Sequence, residues 1–142
     1  RENVKRCSCL MSEEFKLEII NPEKSFFSSE NVNEVIIPAF EGDMGILKDH
    51  ISIISFLKPG IIKVLSNNVE EKFYVEDGIV EFKDNHLSIL TSSILNIKDI
   101  DKSLIDRGIK DAEGQLQKND IDDQKKFIIE QKIETLKNIS IN

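Results

Sequence analysis

With 142 residues, 19 basic and 26 acidic side chains and a formal net charge of −7, the chain has room for one domain and an appendage. It is too acidic for nucleic-acid backbones to be its main partner. No apolar run approaches the ~20 residues that cross a bilayer as a helix, so contact with a membrane is expected only through a partner.

The stretch 1–10 holds both cysteines, Cys7 and Cys9, as a C-x-C pair with no further thiol to complete a zinc shell, so no metal is expected there. It has basic residues but no apolar centre of a secretory signal, and Met11-Ser12-Glu13-Glu14-Phe15 looks like a natural start. Residues 1–10 are therefore expected to be a non-native or disordered extension.

From Phe15 onward short apolar runs alternate with turn residues, the pattern of an antiparallel β-sandwich over residues 11–97. Phe15, Leu17 and Ile19 alternate and should face inward. Asn21-Pro22-Glu23 turns the chain, Phe26-Phe27 is a short apolar patch, and Ser28 to Asn31 reads as loop. A strand from Val32 to Ile37 should stop at Pro38, which has no N–H for a ladder. A compact loop follows, with Gly42 and Gly45 bracketing Asp43 and an exposed Met44, and both glycines suited to positive φ. Ile51 to Leu57 and Ile61 to Leu65 are strands joined through Lys58-Pro59-Gly60, whose order suits a type II turn. Asn67-Asn68, Asp77-Gly78 and Asp84-Asn85 then separate strands at 71–75, 79–82 and 87–90.

At Ile97 the period changes. Ile105, Ile109, Ala112 and Leu116 share one face of a helix that Asp99 or Asp101 can cap, with Gly108 and Gly114 weakening it. Lys118-Asn119-Asp120 breaks the chain, and Asp120 is placed to cap a second helix whose stripe is Ile129, Ile133 and Leu136, with Phe127 and Ile128 beside it. Neither stripe is broad enough to stand alone in water, so residues 98–142 should form an antiparallel two-helix hairpin packed on something larger. The fold class expected is α+β.

No catalytic constellation stands out. His50 and His86 are the only histidines. Asp43, Asp49 and His50 invite comparison with a small metal or acid–base site, but a lone histidine near two loop carboxylates is more often a hydrogen-bonded turn element. The Gly42 to Gly45 loop lacks the order of a phosphate-binding loop and carries an acid. Held on a rigid sheet, it suits docking to a partner.

Pro38-Ala39-Phe40-Glu41-Gly42-Asp43-Met44-Gly45-Ile46-Leu47-Lys48-Asp49-His50, then Leu57-Lys58-Pro59-Gly60, Gly78-Ile79-Val80-Glu81-Phe82 and Ile100-Asp101, match one family in order and spacing. The chain resembles the epsilon subunit of bacterial F-type ATP synthases, the equivalent of mitochondrial delta, from about Phe15 to about Leu136. The resemblance implies a non-catalytic central-stalk subunit of a proton-translocating synthase, bound to the gamma subunit and to the c-ring, without a cofactor. It implies a peripheral location on the cytoplasmic face of the bacterial inner membrane. By matching position, Glu41, Asp43, Met44 and His50 are the implied c-ring contacts.

In bacterial members the hairpin either folds on the sandwich or extends into the catalytic head and blocks hydrolysis. Extension would bring Lys125, Lys126, Lys132 and Lys137 toward the alpha and beta subunits, although charged helix faces are ordinarily just solvated. Some members bind ATP through an I/L-D-x-x-R-A motif. Ile100 and Asp101 match it, but Leu104 and Ile105 replace the arginine and alanine, removing the bidentate phosphate partner. The physical expectation that goes with the resemblance is an apolar stripe on one sandwich face, exposed in the isolated chain and covered by gamma. The rivals are a free-standing ligand-binding β-sandwich with a helical cap, and a small enzyme centred on Asp43, Asp49 and His50.

Overall fold

The computed structural model describes residues 14 to 141, without residues 24 and 119. The expected extension at 1–10 and the start at Met11 lie outside the described residues, as does the middle of the Lys118–Asp120 break.

Among the described residues there are ten strands: β1 (Phe15–Ile20), β2 (Ser25–Val32), β3 (Glu34–Ala39), β4 (Gly42–Ile46), β5 (Ile53–Leu57), β6 (Gly60–Ser66), β7 (Val69–Val75), β8 (Gly78–Lys83), β9 (His86–Leu90) and β10 (Ile94–Asn96). They hydrogen-bond in the order β10-β7-β6-β3-β5-β8-β9-β1-β2, with β4 attached to β3. The pairings are antiparallel except for β1 with β9, which is parallel. The path folds over on itself: Phe26 and Phe27 of β2 pack on Phe73 of β7 at centroid distances of 5.7 and 5.3 Å, and Asn33 N–H donates to the Leu65 carbonyl at 2.8 Å. Two sheet layers thus enclose one core, built from Leu17, Ile19, Val35, Ile37, Ile62, Val64, Phe73, Phe82, Leu87 and Ile89 among others.

Period-2 alternation explains why these segments are strands, since each sends alternate side chains into that core. Asn67-Asn68 and Asp84-Asn85 take positive φ at both positions, the geometry that two-residue hairpins prefer. Several boundaries differ from the sequence expectation. The stretch read as a patch and a loop between Phe26 and Asn31 belongs to β2, because its backbone pairs with β1 while its two phenylalanines close the core. The chain does not stop at Pro38. β3 runs on to Ala39, and the Pro38 carbonyl accepts from Lys58 N–H at 3.0 Å.

The glycine loop is in fact strand β4, turned back by Phe40-Glu41 alone, and only Gly42 of its two glycines has positive φ. Met44 is half-buried against the core rather than exposed. Ile51 lies outside β5 and is 76% exposed. Gly60 opens β6 and does not have the positive φ of a type II turn. It is a glycine for a different reason: a Cβ there would stand 2.5 Å from Pro38 Cβ.

A single 3-10 turn over Ile97–Asp99 leads to helix α1 (Lys102–Leu116) and helix α2 (Asp123–Ile141). Asp101, not Asp99, caps α1, accepting from Leu104 N–H at 2.7 Å. Asp122, not Asp120, caps α2, accepting from Lys125 N–H at 2.7 Å. The α1 stripe is as expected: Ile105 and Ala112 are buried, Ile109 and Leu116 half-buried.

Replacing Gly60 by Ala should cost about 1–3 kcal/mol by overpacking against Pro38. Gly114→Ala, on a position with open space, should stabilise by ~1 kcal/mol. Urea unfolding of the two variants beside the parent checks both signs.

Candidate functional site

Two surfaces deserve a function: the outward face of β5, β8, β9 and β1, and the seat of the helical hairpin. On the first, register aligns one residue from each strand. Phe56 lies opposite Ile79, Ile79 opposite Leu90, and Leu90 opposite Ile20. Phe56 is 58%, Ile79 45% and Leu90 50% exposed, and Ile54, one step along β5, is 70% exposed. Ile20 is half-buried. This is a contiguous apolar row on a sheet whose other face is already filled. The row itself lines a groove of about 700 Å³ that runs past Pro22 and Phe40 to Ile128 of α2. Large apolar side chains grouped this way on a folded surface mark a contact site, whereas single ones need no explanation.

The hairpin sits on the outer face of β6 and β7. Leu136, Ile105 and Tyr74 form its buried centre, with Ile61, Ile100, Ile109 and Ile139 around them. Leu136 Cδ1 lies 3.0 Å from where a Cβ on Gly108 would be, so that glycine, read from sequence as a weak point, is where the two helices meet. Beside this centre Lys132 Nζ lies 3.2 Å from Glu76 Oε2, and Tyr74 Oη donates to the same oxygen at 3.2 Å. Burial pushes the Tyr74 phenol far above its ordinary value, and the Glu76 carboxylate adds to this by its charge and by accepting the hydrogen bond. Further along α2, Lys58 Nζ donates to Gln131 Oε1 at 3.0 Å, the Thr135 hydroxyl is shared between the Gln131 carbonyl at 2.8 Å and the Pro59 carbonyl at 3.3 Å, and Phe127 stacks on Phe40 at 6.3 Å. Sequence reasoning missed Phe40, Lys58, Glu76 and Tyr74 as hairpin contacts. No local pattern signals them, because each is matched only across the fold.

The four residues singled out as c-ring contacts do not form one patch. Glu41 lies at the turn before β4 and His50 beyond its other end, a strand length of roughly 20 Å away at ~3.4 Å per residue. Asp43 is exposed on β4 and Met44 packs inward. His50 is the turn element expected: Nδ1–H donates to the Ile51 carbonyl at 2.8 Å, and the ring meets Phe82 edge-on at 6.0 Å. Asp49 is held by Asn85, giving its N–H to Oδ1 at 2.7 Å and accepting from Nδ2 at 3.0 Å. Asp43, Asp49 and His50 are therefore not one site, and among the described residues no group of three or more His, Cys, Asp or Glu is placed to hold a metal ion.

At the Ile100-Asp101 motif, Ile100 packs at the hairpin centre and the Asp101 carboxylate is spent on the α1 cap. Leu104 is 41% exposed where the nucleotide motif has arginine. Of the four lysines assigned to an inhibitory arm, Lys132 is tied to Glu76, while Lys125, Lys126 and Lys137 are exposed on α2. Among the described residues no helix is long and apolar enough to cross a membrane.

A family profile described as "ATP synthase, Delta/Epsilon chain, beta-sandwich domain" matches residues 14–97. The chain is 65% identical over 130 residues to the ATP synthase epsilon chain of Pelagibacter ubique (strain HTCC1062), covering 92% of this chain and 100% of that one. It is 32% identical over 130 residues to the epsilon chain of Parvibaculum lavamentivorans, covering 91% and 97%. Among solved structures it is similar in fold to a chain of the Euglena gracilis mitochondrial ATP synthase OSCP/F1/c-ring, with TM-score 0.73, 20% identity and coverage of 90% and 80%. It is also similar to a chain of the Tetrahymena thermophila mitochondrial ATP synthase central stalk/c-ring, with TM-score 0.60, 17% identity and coverage of 89% and 93%.

The chain has a single tyrosine, so phenolate absorbance reports the hairpin seat directly. The folded pKa of Tyr74 is raised, so above pH about 10 the unfolded chain ionises first and stability falls as pH rises further. In Leu136→Ala, which should cost about 2–4 kcal/mol of hairpin packing, the phenol should titrate closer to its ordinary value. An alkaline spectrophotometric titration of parent and variant checks this.

Proposed function

The chain belongs to the ATP synthase epsilon chain family, and from that premise we propose that it serves in the central stalk, passing c-ring rotation to the catalytic head through the gamma subunit. As an epsilon chain it is a non-catalytic subunit of the synthase. The observation that carries the stalk role is the exposed row Phe56–Ile79–Leu90 with Ile54 beside it. A finished sheet with its core on one side gains nothing from apolar side chains on the other unless a second surface covers them. Gamma is the partner that fits a rotor subunit, and the row is its docking face.

The c-ring is the second partner. The separation along β4 makes two contact regions of Glu41, Asp43 and His50, while Met44 packs inward. Asp43 and Glu41 offer an acidic edge at one end, while His50, with exposed Leu47 and Ile51 beside it, forms the other. The chain then lies at the membrane through the complex, on the cytoplasmic face of the bacterial inner membrane. The docked hairpin is the resting form of any inhibitory arm. To reach the alpha and beta subunits it has to release Lys132 from Glu76 and Phe127 from Phe40. Nucleotide binding at Ile100-Asp101 has little support, since the one carboxylate there is already used in capping.

Ile79→Glu should leave folding intact, because the side chain points outward, and should weaken association with gamma by at least about tenfold. Unchanged binding in a purified pair, measured by calorimetry, would remove the row from the interface. For the arm, ATPase activity of the assembled synthase should rise when the chain ends at Asp99, with synthesis still coupled. No rise would leave the hairpin as a cap on β6 and β7.

A further inference from the structure

The apolar row is one of three parallel bands. One step along each strand, about 7 Å away by strand rise, the same register aligns Ile54, Glu81, Ser88 and Glu18. One step further it aligns Lys83, His86 and Lys16. The outward face thus reads apolar, then acidic, then basic.

Glu81, Lys83 and Lys16 are exposed, and none has an ion-pair partner among the described residues. Glu18 and His86 are partly covered, with Glu18 Oε1 3.8 Å from His86 Nε2. That pair is the only link between the two charged bands among the described residues. Charges left unpaired beside an apolar contact face set orientation and partner choice more than raw affinity. A band spacing of about 7 Å is within one Debye length at physiological salt, so a partner surface senses their order and not only their sum.

Resting on the assignment of the apolar row to gamma, we propose that these bands fix the register in which gamma packs. Its covering surface carries basic side chains opposite Glu81 and Glu18 and acidic side chains opposite Lys83 and Lys16. A slip by one step sets like charges against each other and is penalised.

Binding of purified gamma to the full chain is measured by calorimetry for four variants: Ile79→Glu, Glu81→Lys, Lys83→Glu and the exchange Glu81→Lys/Lys83→Glu. All three positions face outward, and thermal unfolding confirms that each variant folds. Each single charge reversal should weaken binding several-fold to tenfold. The exchange keeps net charge and inverts band order, so it should bind at least as weakly as either single variant. If Ile79→Glu weakens binding but the exchange binds like the parent, band order plays no part and the inference falls while the gamma face stands. If Ile79→Glu binds like the parent, the gamma face itself is wrong. A single reversal that tightens binding overturns the proposed charge order.

Discussion

Packing of one face of every strand into a single core constrains everything else in this protein. Leu17, Ile19, Ile37, Val64, Phe73, Phe82, Leu87 and Ile89 are buried to within 1%. With a side-chain period of two, a slip of one residue in any strand would expose its whole inward set. The register is therefore pinned from inside, and the outer face inherits its geometry. That is why Phe56, Ile79 and Leu90 stand in a line, and why the charged residues beyond them do too.

The hairpin depends on the same frame but is held differently. Its buried centre is small, Tyr74, Ile105 and Leu136, with half-buried isoleucines around it. Its flanking contacts are a partly exposed ion pair, two hydrogen bonds to or from the β5–β6 turn and one ring stack. Exposed pairs of this kind contribute at most about 1 kcal/mol each. The sandwich core therefore does not depend on the hairpin, because few sheet residues rely on the helices for burial. Gly108 is instructive here. Taken alone it weakens α1, but it lets Leu136 approach the helix backbone, so a local cost becomes a packing gain.

Much of this was legible beforehand because it is written in local patterns. The alternation in Phe15-Lys16-Leu17-Glu18-Ile19, the paired turn residues Asn67-Asn68 and Asp84-Asn85, and the helical spacing of Ile105, Ile109 and Ala112 all appear as expected. The errors fall where pairing overrides propensity. Ser28 to Asn31 is polar and loop-like, yet β1 draws it into β2. Gly42 to Gly45 looks like a loop, yet β3 supplies a full ladder for it. Gly60 looks like a turn glycine, but Pro38 on another strand is what requires it.

The sequence by itself determined the class of the fold, the division between strands and helices, the absence of a recognisable catalytic set and, through its separated motifs, the family. Those follow from periodicity and short-range chemistry, which act between neighbours in the chain. The tertiary structure alone decided which apolar side chains remain outside, which ones the hairpin covers, and that Glu41 and His50 lie at opposite ends of β4. It also decided that the unpaired charges form ordered bands. Those properties depend on cross-strand register between residues far apart in the chain, and no local pattern encodes that register until the core closes.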